Sequence, residues 1–285
     1  MLKKRLLTAI PLVVLVLVAL NYLPVGIIVF LVSVLTILLF WEWRLLLEPK
    51  KRIWNLFEFL VFGCFLLFST LLDVHLVLSF ALFWTLLVTV LLVIVSRGKP
   101  DFPKIGKRLF FLIFRRFAPY ATLIPFWYLT NFLIAYVDKS LLIGTLGRGR
   151  SLFIFLLLIV WATDTGGYLF GSSFQGRSYV STVSPKKSDI GYFGSFFVAW
   201  LVASLASPHF LPTVSLYVVF CLTVIVVVLA VIGDLFESLL KRFVDRKEIS
   251  NLLPGHGGML DRVDGLLFAG PFYFILLLVF RIITI

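Results

Sequence analysis

The sequence predicts an all-α, polytopic integral membrane protein of about nine transmembrane helices, on three observations. Of its 285 residues, 61% are hydrophobic and 14% charged, and the mean hydropathy is +1.09. Its apolar runs repeatedly approach or exceed the roughly 20 residues that a helix needs to cross the hydrocarbon of a bilayer. Strand-period alternation is absent, and backbone groups in hydrocarbon must be satisfied within their own segment, so helices rather than a barrel are implied. No soluble domain of useful size is left over.

The elements follow in order. Lys3-Lys4-Arg5 before Leu6 to Leu20 has the layout of a secretory signal. Asn21-Tyr22-Leu23-Pro24 lacks a small-residue cleavage site, however, and a second apolar run starts at once. A retained first helix is therefore expected at 6–22, followed by spans at 24–43, 53–72, 74–95, 117–137, 151–170, 191–207, 214–236 and 260–280. Region 138–150 and the short seventh run leave eight as the alternative count, and charge favours nine. With the N-terminus cytoplasmic, nine spans place 22 of the 26 Lys and Arg on the inner side, leaving Lys139, Arg148, Arg150 and Arg281 outside. The expected location is the cytoplasmic (inner) membrane, with the polar loops of the C-terminal half facing the cytoplasm.

Much of the net charge of +12 is explained by anionic lipid, which attracts juxtamembrane cations by about 1 kcal/mol each. Arg44 to Arg52 and Arg97 to Arg108 are read this way. Basic residues strung along membrane interfaces form no compact patch, so no nucleic-acid partner is expected. Cys64 and Cys221 lie far apart inside apolar runs and suggest neither a disulfide framework nor a thiolate metal site. Trp41, Trp43, Trp84 and Trp161 fall near span ends, where interfacial anchoring is expected.

Two segments resist such readings. An ionisable residue at bilayer depth costs several kcal/mol, roughly 2.5 to 3.5 on insertion scales, so a cluster of them marks a functional site by default. In the first segment, Asp164 and Thr165 precede Gly166-Gly167, and Ser184-Pro185-Lys186-Lys187-Ser188 follows after a break. The glycines fit helix packing and close ligand approach equally, and a helix start at Pro185 beside two lysines suits a phosphate. In the second, Asp234, Glu237, Ser238 and Lys241 stand at i, i+3, i+4 and i+7 and share one helix face. Asp261 and Asp264 form a second i, i+3 pair, joined to the first by a glycine-rich turn carrying His256. Simple ion pairing of Asp234 and Glu237 with Lys241 or Arg262 is the structural alternative. Interleaved carboxylates and cations suit a hard cation and phosphates, and oxygen ligands favour Mg²⁺, alone or with a second cation, over zinc. No Walker-type GxxxxGK loop and no GxGxxG turn is present.

Ser238-Leu239-Leu240-Lys241-Arg242, Lys247 and Leu253-Pro254-Gly255-His256-Gly257-Gly258-Met259-Leu260-Asp261-Arg262-Val263-Asp264 together resemble the signature of the phosphatidate cytidylyltransferases, or CDP-diacylglycerol synthases. The resemblance extends over about 160–270 and includes Asp164-Thr165-Gly166-Gly167-Tyr168 and Ser184 to Ser188. Three positions depart from the family pattern: Glu248 replaces an Asp, Ile190 a Glu, and Gln175 interrupts a Phe-Gly-Lys run. The resemblance implies catalytic roles for Asp234, Lys241, Asp261 and Arg262 and metal binding at Asp234, Asp261 and Asp264. It implies substrate contacts from Asp164, Thr165, Ser184, Lys186, Lys187, Ser238, Arg242, His256, Gly257 and Gly258.

The activity so implied is cytidylyl transfer from CTP to phosphatidic acid, giving CDP-diacylglycerol and pyrophosphate in phospholipid biosynthesis. The partners are then CTP, phosphatidic acid and the bilayer, with a homodimer left open. Residues 1–140 are read as N-terminal transmembrane helices and 141–285 as the catalytic region, the two forming one continuous membrane unit. The alternatives are a CTP-dependent transferase acting on another lipid phosphate or a polyprenol, and an ion-coupled transporter, whose acids would sit near midspan.

Overall fold

A computed structural model describes residues 2–47, 52–97, 104–136, 147–174, 176–178, 184, 187–244, 249–250, 252 and 257–284. These residues form nine α-helices and no strand: α1 Leu2–Tyr22, α2 Val25–Leu47, α3 Arg52–Ser69, α4 Val74–Arg97, α5 Lys104–Ala135, α6 Arg148–Ser173, α7 Asp189–Phe210, α8 Leu216–Phe243 and α9 Leu260–Val279. Each overlaps one expected span. Among the described residues, α2, α4, α6, α7, α8 and α9 contain stretches long and apolar enough to cross a membrane, and the apolar parts of α1 and α3 are shorter. Two helices outrun their expected limits by the most. The helix α5 begins at Lys104 rather than near 117 and continues through Pro119 and Pro125, which packing against neighbouring helices tolerates in a membrane bundle. The helix α8 continues to Phe243, and that extension carries Glu237, Ser238 and Lys241 of the polar face.

Contacts between helix ends sort the bundle into two faces. At one, Arg150 Nη1 donates to the carbonyls of Leu23 and Leu20 at 2.9 and 3.3 Å, satisfying orphan carbonyls at the end of α1. There too Thr284 N donates to Tyr136 Oη at 3.3 Å. At the opposite face the C-terminal ends of α2 and α8 meet the N-terminal ends of α7 and α9, through Glu42, Lys187, Lys241 and Asp261. This alternation is what a chain threading back and forth across a bilayer produces.

Aromatic packing joins the two halves of the chain. Phe236 of α8 lies 6.1 Å from Trp43 of α2, 6.2 Å from Trp84 of α4 and 5.5 Å from Phe268 of α9, between ring centroids. The pairs with Trp84 and Phe268 are edge-to-face and that with Trp43 is tilted; edge-to-face pairs contribute about 0.5–1.5 kcal/mol beyond burial. Trp43 and Trp84 are consequently 1% and 4% exposed, and Trp84 Nε1 donates to Thr122 Oγ1 at 2.9 Å. They are core residues and not the interfacial anchors expected from their positions near span ends. Arg44 departs from its expectation as well. It is buried and pairs with Glu58 of α3, so its charge is matched inside the bundle rather than spent on lipid headgroups.

Candidate active site

The acidic group is built by one close helix crossing. Gly233 of α8 lies so near the backbone of Asp264 that an added Cβ would run into the Asp264 carbonyl, and Gly265 packs against Ala230. Small residues let membrane helices approach in this way. The approach brings one carboxylate oxygen from each of Asp234, Glu237 and Asp264 within 4.8 Å of one another. Glu237 is 4% exposed. Its Oε2 accepts from Lys241 Nζ at 2.7 Å, while Oε1 is buried with no hydrogen-bond partner. A buried acceptor left this way needs a ligand that is positive or donates hydrogen bonds, and an all-oxygen donor set suits a hard cation. Asp264 Oδ1 accepts from its neighbour Gly265 N at 2.8 Å, and Asp234 pairs with Lys187 at the start of α7.

Asp261 is placed differently from its partners in the expected metal set. Its Oδ1 accepts from Lys241 Nζ at 2.8 Å and its Oδ2 from Gly258 N at 2.8 Å. The second bond folds back on the entry to α9 in the manner of a capping box. Lys241 thus bridges Glu237 on α8 and Asp261 on α9. The structure brings Asp234, Glu237 and Asp264 together, and Asp261, expected as a ligand with Asp234 and Asp264, adjoins that group at Glu237 and Lys241. Gly257 turns the chain into α9 at φ 82°, a left-handed conformation that favours glycine.

The first segment lies alongside. Asp164 and Thr165 are exposed on α6, and Asp164 interacts electrostatically with Asp234, Lys187 and Arg262. Thr165 Oγ1 donates to the Trp161 carbonyl at 2.7 Å. The glycine pair resolves toward helix packing: Gly166 abuts the Gly194 backbone and Gly167 abuts Ser195 of α7. Ser188 caps α7, accepting from Gly191 N at 3.2 Å, and the Ser184 carbonyl accepts from Lys187 N at 3.3 Å. Ser238 is half-buried, and Arg242 and Arg262 are exposed at the ends of α8 and α9. Lys186 and His256 lie outside the described residues.

Glu42 was not among the expected residues. It is 0% exposed and reaches from α2 to the start of α9, where its oxygens accept from Ser250 Oγ at 2.5 Å, Met259 N at 2.9 Å and Leu260 N at 2.6 Å. The only sequence signal for it is an acid inside the apolar run Phe40-Trp41-Glu42-Trp43.

Comparison with known proteins identifies the family. Residues 3–280 match the cytidylyltransferase family. The chain is 37% identical over 133 residues to a phosphatidate cytidylyltransferase of Bacillus subtilis, covering 46% of this chain and 49% of the relative. It is 35% identical over 148 residues to one of Staphylococcus aureus, covering 51% and 56%. With one of Staphylococcus epidermidis the identity is 34% over 134 residues, covering 47% and 52%. The chain thus spans about half the length of the curated relatives it matches. The family match, by contrast, runs through all nine helices, and this chain belongs to the cytidylyltransferase family.

Proposed function

We propose that this chain transfers the cytidylyl group of CTP to phosphatidic acid, releasing pyrophosphate, at the cytoplasmic face of the inner membrane. The observation that carries the reading is the convergence of Asp234, Glu237 and Asp264 within 4.8 Å, with Lys187 and Lys241 paired to two of them. Phosphatidate cytidylyltransferases from three bacteria are among its relatives. The acids cluster toward one end of α8 and α9 rather than being offered to both faces, which disfavours a transport pathway.

A phosphate monoester has a second pKa near about 6, so the lipid phosphate is largely ionised at neutral pH and needs no general base. Its oxygen forms a bond to the α-phosphorus of CTP as the α–β bridging bond breaks, and the electron pair leaves with pyrophosphate. Such transfers are catalysed by positioning and charge neutralisation. Lys187, Lys241, Arg242 and Arg262 lie at or beside helix ends on one face of the bundle, and in this reading they hold the phosphates of both substrates. Asp234 and Asp264, with Glu237 as third oxygen donor and Asp261 beside them, would hold Mg²⁺, which supplies further neutralisation of the nucleotide phosphates. Asp164 and Thr165 line the side facing α6.

Product analysis tests this directly. Purified protein given CTP labelled at the α-phosphorus, Mg²⁺ and phosphatidic acid should yield a labelled lipid and pyrophosphate, and a chelator should stop both. Label appearing only with a polyprenyl or ether-lipid phosphate would replace the acceptor, and no labelled lipid with any acceptor would refute the reading. The orientation has its own test in a background with Cys64 and Cys221 replaced by Ser. A cysteine at exposed Ser172 should react with an impermeant reagent only from the cytoplasm, and one at exposed Thr213 only from outside. The reverse pattern would invert the topology.

A further inference from the structure

We infer that Glu42 is a positioning residue for the reaction: a buried carboxylate of α2 that fixes the start of α9 and through it Asp261 and Asp264. The inference rests on the reading of α8 and α9 as the active site. The residues that carry the family signature all lie in the C-terminal half, yet their geometry is held in part from the N-terminal half. Glu42 receives three hydrogen bonds, one from the Ser250 side chain and two from backbone N–H groups of Met259 and Leu260. The first backbone groups of a helix have no intrahelical acceptor, and Met259, the residue before α9, provides no side-chain cap of its own. A carboxylate there also complements the positive end of the helix. Glu42 thus performs from another helix the task that a local Ser or Asp normally performs.

The consequence for the acids is geometric. Gly258 sits against both Glu42 oxygens and Asp261 Oδ2, and Asp261 holds Gly258 N at 2.8 Å. One carboxylate from α2 and one from α9 therefore clamp the same short stretch from two sides. Three residues on, Asp264 meets Asp234 and Glu237. The next residue of α2 continues the contact: Trp43 lines the small cavity shared with Glu237 and Asp264. Releasing the clamp would let the first turn of α9 shift or fray, and both aspartates lie within that turn or just beyond it.

Glu42→Gln tests the role. Glutamine keeps the length but puts an amide NH₂ where an oxygen received a donor, so one of the three bonds becomes donor against donor. Outer-shell partners of metal ligands typically contribute 10- to 100-fold, so Mn²⁺ affinity and kcat should both fall by about tenfold or more. Ser33→Ala is the control for simple loosening of α2. It removes the acceptor of Trp127 Nε1, a 2.8 Å tie between α5 and α2, and should lower Tm while leaving Mn²⁺ affinity and kcat unchanged. Should Glu42→Gln not give monodisperse protein, Ser250→Ala removes one donor from the same carboxylate and is read by the same two quantities. Unchanged Mn²⁺ affinity and kcat in Glu42→Gln, or in Ser250→Ala where it stands in, would overturn the inference. So would an equal loss of both in Ser33→Ala. Asp234→Asn measured in parallel separates the two readings: if it is inactive while the clamp variants are normal, only the role of Glu42 fails, and if it is fully active the site itself is misassigned.

Discussion

Asp264→Asn is expected to lower turnover by more than about 10²-fold, because partners one shell further out already contribute 10- to 100-fold. The substitution keeps the size of the side chain and one oxygen while removing the negative charge. In a group where the Glu237 and Asp264 oxygens lie within 4.8 Å of each other and of Asp234, that charge is what would bind a cation and hold it against the nucleotide phosphates. The acceptor phosphate is already ionised at neutral pH, so the loss cannot be ascribed to a missing base, and raising the pH should not restore the variant. Initial rates of labelled lipid formation across neutral to mildly alkaline pH would check this. A variant that recovers with rising pH would mean that Asp264 moves a proton.

Gly233→Ala is expected to be nearly as damaging, although it adds a single methyl group. That methyl would overlap the Asp264 carbonyl and press on Gly265 Cα, both backbone atoms that no rotamer change can move aside. Overpacking of this sort costs roughly 1–3 kcal/mol, and the strain is relieved by moving α9 away from α8. The same movement separates Asp234 and Glu237 from Asp264. Displacements near 1 Å at a reacting centre can cost about 10²-fold, so turnover should fall by that order while Tm drops by only a few degrees. Ala230→Gly, on the facing side of Gly265, removes bulk from the crossing instead and should leave turnover far closer to normal. Wild-type turnover in Gly233→Ala would show that the close crossing is not what assembles the acids.

Much of this was legible in the sequence, for reasons that differ by element. Membrane-length apolar runs locate helices because hydrocarbon leaves the backbone no other way to satisfy its polar groups. The helical spacing of Asp234, Glu237, Ser238 and Lys241 was readable because it depends only on helix geometry. Which acids would converge was less so. Asp261 and Asp264 share a spacing, but the turn through Gly257 and the Gly233 crossing give Asp261 contacts with Lys241, Gly258 and Glu237 and set Asp264 beside both Asp234 and Glu237. A one-dimensional pattern does not contain that division. Glu42, Trp43 and Arg44 were illegible for a related reason: near a span end, an acid, a tryptophan and an arginine match an interfacial pattern. Their burial follows from α2 packing against α3, α8 and α9, and that contact lies between residues some two hundred positions apart in the case of Glu42 and Leu260.

The claim on which the rest depends is that the acids of α8 and α9 act together as a metal site in cytidylyl transfer. Mn²⁺ affinity, followed by the loss of free-ion paramagnetic signal on titration, measured beside turnover in wild-type protein, Asp234→Asn and Asp264→Asn, tests it most directly. Expected is Mn²⁺ binding to the wild type that weakens together with turnover in both variants. Normal Mn²⁺ binding in variants that have lost turnover would contradict it.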